Sequence, residues 1–257
     1  MPRMRSILTA ATIVAASSTN AQVTDPLISI SASSSLGSGS VSFSSADFGA
    51  IVQPDTGILF ILFNAPLVIQ DPNNNNIIGR ITQLNVLNRA DSTDTPGISD
   101  ALTSIGFAAF AGDADTTFNL TASFINTGAV ADAALRASAG ITVTDNTGDT
   151  ATLTGLGAGG TFFNASYNNG TTFADLVAGP LAVGATSTFS TSESFPAVPP
   201  GAFNPIGAPL NNIQAQFNFR ITAGDSASGT SVFVSIPAPA SATLLAATGL
   251  VGVRRRR

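Results

Sequence analysis

Fifteen carboxylates, with no histidine, cysteine or lysine beside them, set the chemical limits of this 257-residue chain. Four of the fourteen aspartates fall in pairs at short spacing next to glycine. Asp113 and Asp115 lie in Gly112–Asp113–Ala114–Asp115, and Asp145 and Asp149 in Asp145–Asn146–Thr147–Gly148–Asp149. A hard cation such as calcium takes about six to eight oxygen ligands, which loop carboxylates and backbone carbonyls can supply. These four aspartates are therefore the candidate calcium ligands. Neither stretch is an EF-hand loop, which closes on a glutamate. Aspartate and asparagine also build turns without metal, by hydrogen-bonding their own backbone. A structural calcium site and metal-free turns both fit these residues.

Other chemistries are excluded or unmarked. Without histidine the chain lacks the usual general base of serine hydrolases and the commonest zinc ligand. Without cysteine it has neither thiol catalysis nor disulfides. Glycoside hydrolysis needs two carboxyl groups about 5 to 9 Å apart. The chain offers many aspartate pairs, but no spacing or flanking aromatic marks one. No catalytic or cofactor-binding residue is expected. Sugar-binding sandwiches stack rings on exposed tryptophan or tyrosine, and here there is no tryptophan and one tyrosine, Tyr167, in Phe162–Gly170. The seventeen phenylalanines read as core. Between the two ends, Arg80, Arg89, Arg136 and Arg220 face all fifteen acids, so this body repels phosphate backbones and nucleic acid is not an expected partner.

The elements that must position these groups are strands. The chain is poor in long helix formers, with Glu193 its only glutamate, and rich in Thr, Ser, Asn, Gly and Phe. Ile213, Ala215, Phe217, Phe219 and Ile221 alternate with polar residues, as do Phe118, Leu120, Ala122 and Phe124, each a strand with one core face. Further strands are expected at Leu27–Ser33, Gly57–Phe63, Leu67–Gln70, Ile77–Leu87, Ile141–Thr144, Thr150–Leu153, Gly160–Ala165, Thr186–Ser192 and Ser231–Ile236. Asp71–Asn74, Asp145–Gly148 and Asn168–Gly170 carry turn residues. Ile213–Thr222 and Ser231–Ile236, joined by a Gly224–Gly229 loop, read as a C-terminal hairpin. Ala129–Ala137 reads as one short helix. The apolar run Phe60–Phe63 suits a central strand. Asp91–Asp100 reads as a long surface loop, though a boundary between two domains would also fit there. Many short strands about ten residues apart predict an all-β fold, an antiparallel β-sandwich of jelly-roll-like character.

The two ends carry an address. Arg3 and Arg5 precede an apolar run, Ile7–Ala16, and small and polar residues reaching Ala21. That order is a secretory signal peptide, with cleavage expected between Ala21 and Gln22. At the other end, Pro237–Ala238–Pro239 leads into an apolar stretch closed by Arg254, Arg255, Arg256 and Arg257. Counted from Ile236 the stretch has 18 residues, about 27 Å as a helix against a bilayer core of about 30 Å. Terminal arginines hold that end in the cytoplasm and leave the body outside. The expected organisation is a signal helix at 1–21, a β-sandwich at 22–236, and a tail at 237–257 containing a short transmembrane helix.

This tail resembles the PEP-CTERM sorting signal of bacterial exosortase substrates. The matching residues are Pro237 and Pro239, then Leu244, Leu245, Gly249, Leu250, Val251, Gly252 and Arg254–Arg257, with Ala238 standing where the family carries glutamate. The resemblance covers the last 22 residues. It implies that, after signal peptidase, an exosortase-type enzyme removes the tail near Pro237–Pro239 and leaves the body at the cell surface. The reading that follows is a non-enzymatic surface or matrix protein whose partners are other surface proteins or extracellular polysaccharide. The alternative is an extracellular module that binds or hydrolyses carbohydrate.

Overall fold

The computed structural model describes residues 22–23, 26–44, 52–53, 58–63, 66–90, 101–130, 132–199 and 201–237. They form two antiparallel sheets packed face to face. The first sheet starts at edge strand β3 (Gly37–Phe43). Next come β1 (Gln22–Val23) with β2 (Ile28–Ser34), then β9 (Thr116–Ala122) with β10 (Ile125–Val130), then the long β18 (Leu210–Ile221). Beyond β18 lie β12 (Thr150–Gly155) with β13 (Thr161–Tyr167), and last β15 (Leu181–Gly184) with β14 (Thr171–Ala178). The paired names share one position because successive segments of the chain line the same neighbour. β9 and β10, for example, both run along one side of β18.

The second sheet runs from β4 (Val52–Gln53) to β5 (Ile58–Phe63) with β6 (Leu67–Gln70), then β7 (Ile77–Ala90) and β8 (Ala101–Ala111). It continues through β19 (Ser226–Pro237) and β11 (Ala133–Thr144) to an edge formed by β16 (Thr188–Phe195) and β17 (Asn204–Pro205). Strand β5 is thus second from its edge, and it contains the Phe60–Phe63 run. The segment 91–100 lies outside the described residues, and the strands on either side of it, β7 and β8, pair with each other.

Alternation explains the burial. On β9 every second residue, Phe118, Leu120 and Ala122, is buried, and on β18 Phe217, Phe219 and Ile221 have no exposure. Aromatic rings join the sheets. Phe107 of β8 meets Phe217 edge-on at 5.0 Å and stacks on Phe219 at 5.3 Å, and within the first sheet Phe163 lies 5.0 Å from Phe217. Such pairs add about 0.5–1.5 kcal/mol beyond their burial. At one flank Phe173 of β14 reaches across to Phe195 and Phe233. Two glycines make room for rings: a Cβ on Gly229 would stand 2.6 Å from Phe107, and one on Gly79 2.6 Å from Phe118.

Two sequence expectations are corrected. Ala129–Ala137 is no helix: it spans the end of β10, a turn with Asp132 at φ 55°, and the start of β11. Alanine favours helix when isolated, but Ala133, Leu135 and Ala137 fall buried under the opposite sheet, and packing overrides propensity. The C-terminal hairpin is also absent. β18 and β19 belong to different sheets, so the short Thr222–Asp225 connection crosses the sandwich. β19 moreover starts at Ser226, inside the expected loop, because Ala227 and Gly229 are small enough to face the core beneath Phe107. The sequence does not mark strands β1, β3, β4, β8, β10, β14, β15 and β17. The expected signal helix and transmembrane helix lie outside the described residues, and among the described residues no helix is long and apolar enough to cross a membrane.

Candidate functional site

Four connections cross between the sheets at one end of the sandwich: 112–115, 145–149, 185–187 and 222–225. Each crossing breaks the ladder, so backbone N–H groups there need other acceptors. Aspartates supply them. Asp145 Oδ1 accepts from the N–H groups of Thr147 at 3.2 Å and Gly148 at 3.1 Å and from the Thr147 hydroxyl at 3.1 Å, while Oδ2 accepts from Thr186 N–H. Asp149 accepts from Thr150 N–H at 2.7 Å and from the Thr147 hydroxyl. Asp225, fully buried, accepts from Asn146 N–H at 3.0 Å and the Thr222 hydroxyl at 2.6 Å.

The structure therefore brings Asp145 and Asp149 together and adds a third carboxylate, Asp225, with ligand oxygens of all three within 4.8 Å of one another. Such a cluster has the oxygen chemistry a hard cation needs, yet its oxygens already accept from named N–H and O–H donors. Burial alone would raise Asp145, but the Thr186, Gly148 and Thr147 donors outweigh it and hold the carboxyl below its ordinary range. The Thr147 hydroxyl and Thr150 N–H lower Asp149, against burial and the charge of Asp145. Asp113 and Asp115 stand apart from the cluster. Asp115 pairs with Arg220 on the surface and accepts from Ala223 N–H at 3.2 Å, and Asp113 is exposed.

Asp225 escaped the sequence reading because it lies on a different crossing from Asp145. Only knowledge that both connections turn at the same end would have joined them. A similar device works at the turn between β6 and β7, where the N–H groups of Ser38, on β3, and Asn73, in the turn itself, lower Asp71.

Tyr167, the single tyrosine, ends β13 half-buried against the core. The asparagines beside it are engaged: Asn168 binds Pro209 O at 2.8 Å and Asn211 N–H at 2.7 Å, and Asn169 exchanges hydrogen bonds with Asn212. Of the processing residues, Gln22 pairs with Asn126 and Pro237 with Ala133. Ala21, Ala238, Pro239 and Arg254–Arg257 lie outside the described residues.

A second feature lies on the outer face of the second sheet. There a shallow groove of about 440 Å³ crosses β7, β8, β19, β11 and β16, with Gly106 and Gly140 in its floor. Short hydroxyl and amide side chains line it, and Thr142 and Ser190 share a hydrogen bond of 2.8 Å. Nothing in the sequence announced it. Its floor is assembled by register, which sets Asn85 opposite Gly106, Gly106 opposite Thr230, and Thr230 opposite Gly140.

No protein-family model matches the chain, and no curated protein matches it. Among solved structures it is similar to the enzymatically active domain of tailspike protein 4 of bacteriophage CBA120, at 14% identity and a TM-score of 0.25. That match covers 82% of this chain and 19% of the tailspike chain. A structure of infectious bursal disease virus, Gx strain, aligns at 16% identity and a TM-score of 0.30, over 83% of this chain and 57% of the other. A carbohydrate-binding module of the β-sandwich superfamily aligns at 9% identity and a TM-score of 0.17, over 77% and 64%. The chain thus spans less than two thirds of each of these chains, and scores this low carry no argument about function.

Proposed function

We propose that this is a non-enzymatic, exported surface or matrix protein that acts through the outer faces of its sandwich. The observation that supports this reading is the use to which the carboxylates are put. Asp71, Asp145, Asp149 and Asp225 accept hydrogen bonds from backbone N–H groups at turns and crossings, the work of structural caps. Hydrolysis would instead call for two carboxyl groups facing each other across a cleft. Tyr167 packs against the core instead of offering a flat ring. Export rests on the basic–apolar–small order of 1–21 and on the resemblance of 237–257 to a sorting tail. In this reading signal peptidase cuts after Ala21 and an exosortase-type enzyme acts near Pro237–Pro239. The tail then begins where β19 ends.

The test is intact mass spectrometry of the protein from its native host, after separation into cytosol, membrane, surface and medium. The expected species, at the surface or in the medium, lacks Met1–Ala21 and the residues that follow Pro237–Pro239. A membrane species still carrying Arg254–Arg257 would overturn the sorting step, and an unprocessed cytosolic one would overturn export.

A further inference from the structure

We infer that the groove on the outer face of the second sheet binds an extended, uncharged polysaccharide, a reading that rests on the surface role proposed above. The groove runs across the strands, and four steps between neighbours at about 4.8 Å make it roughly 19 Å long. The strands forming its floor are already paired on both sides, apart from edge strand β16, so an added peptide strand finds no free backbone along it. A linear polymer laid across the strands does find side chains at every step.

Gly106 and Gly140 leave hollows on either side of Thr230. Glycine inside a strand weakens it, and often marks a place where something approaches the backbone closely. Gly229, Gly79 and Gly155, buried within their strands, have internal reasons: a Cβ on either of the first two would collide with a phenylalanine ring, and one on Gly155 with the Gly160 carbonyl. Gly106 and Gly140 have none. A Cβ on Gly106 would come no nearer than 3.5 Å to Asn85 Nδ2, and one on Gly140 no nearer than 3.4 Å to Ser192 Cβ. Neither position has a φ in the left-handed region. The missing side chains are accounted for from outside the protein.

The row through these hollows ends at Asn85, whose Oδ1 is buried and has no hydrogen-bond partner among the described residues. The Nδ2 of the same amide lies at the hollow, 3.5 Å from where a Cβ on Gly106 would stand, and can donate to a ligand there. The other outward groups, Gln83, Ser192, Ser228 and Thr230, both donate and accept, as does the hydroxyl of a sugar. No charged side chain lines the groove, so an anionic polymer finds no counter-charge there. No outward apolar side chain offers a peptide its anchor.

The test is affinity electrophoresis of the full chain in gels containing neutral polysaccharides (hydroxyethylcellulose, galactomannan, dextran) or anionic alginate. At least one neutral polymer is expected to retard the protein, and alginate is not. The double variant Gly106→Ala/Gly140→Ala places a methyl in each hollow no nearer than 3.4 Å to any other protein atom. It is expected to weaken retention about tenfold or more while keeping the unfolding midpoint at or above that of the parent. Should that variant misfold, Thr230→Val removes the central hydroxyl at nearly constant shape and is expected to weaken retention too. Undiminished retention in folded variants, retardation by alginate, or no retardation by any neutral polymer would each overturn the inference. The two readings fail separately. Surface recovery without retardation sinks the groove alone, and cytosolic recovery with retardation sinks the surface role alone.

Discussion

The crossing end of the sandwich and the open face of the second sheet use polar residues in opposite ways. At the crossing end charged groups are drawn inward and matched: Asp145 and Asp225 are buried, and each carboxylate answers donors freed by a break in the ladder. On the open face the polar groups are small, uncharged and turned outward, over hollows that the protein could fill without strain. Residues of the first kind are there for folding, and changing them should cost stability. Residues of the second kind cost little stability, or none, when changed. Polarity alone therefore says little about function, and the state of each hydrogen-bond partner says more.

The contrast can be broken in several ways. Acid should have the largest effect, because it reaches several carboxylates at once. Asp71, Asp145 and Asp149 all titrate below their ordinary 3.8 in the folded state. Their stabilisation is complete above that value and is lost as the pH falls through the lower, folded values. The thermal midpoint should thus hold steady from neutral to about pH 5 and drop steeply below about pH 3.5, and a flat profile would break the account of the crossings. Asp225→Ala, which deletes the fully buried carboxylate that accepts from the Asn146 N–H and the Thr222 hydroxyl, should lose about 2–3 kcal/mol in urea unfolding. A loss under about 1 kcal/mol would mean that the crossing is held by other means.

A pair of glycine substitutions sharpens the comparison further. Gly229→Ala collides with Phe107 and should destabilise by about 1–3 kcal/mol, whereas Gly140→Ala should be neutral or stabilise by up to about 1 kcal/mol. Equal losses at the two sites would erase the distinction between core and groove glycines. The smallest effect is expected from chelation. The clustered carboxylates already accept from protein donors, so EDTA should leave the unfolding midpoint unmoved. A fall on chelation, reversed by added calcium, would turn the Asp145–Asp149–Asp225 cluster into a metal site.

Strands with clean alternation were legible in the sequence. β9 and β18 were visible because each sets large apolar residues against polar ones. β3 and β8 were hidden, since Gly-Ser-Gly-Ser-Val-Ser-Phe and Ala-Leu-Thr-Ser-Ile-Gly-Phe-Ala-Ala-Phe-Ala lack that contrast of size or polarity. Alternation also reports only that one face is buried, never in which sheet. That is why β18 and β19 read as a hairpin when they cross the sandwich. The same blindness concealed the site. Asp145 and Asp149 share a local motif, but Asp225 joins them through topology, and the groove through register across five strands.

β19 lies between β8 and β11, hydrogen-bonded to both, and ends at Pro237. A pull on whatever follows Pro237 therefore enters the sheet through an interior strand and runs along its axis. The load is shared by two ladders, one from Ser226 to Pro237 against β11 and one from Ser226 to Ser235 against β8. Rungs loaded in shear must give way together, whereas a tether hung from an edge strand such as β16 would peel them one at a time. By this geometry the sandwich resists traction applied at its C-terminal end.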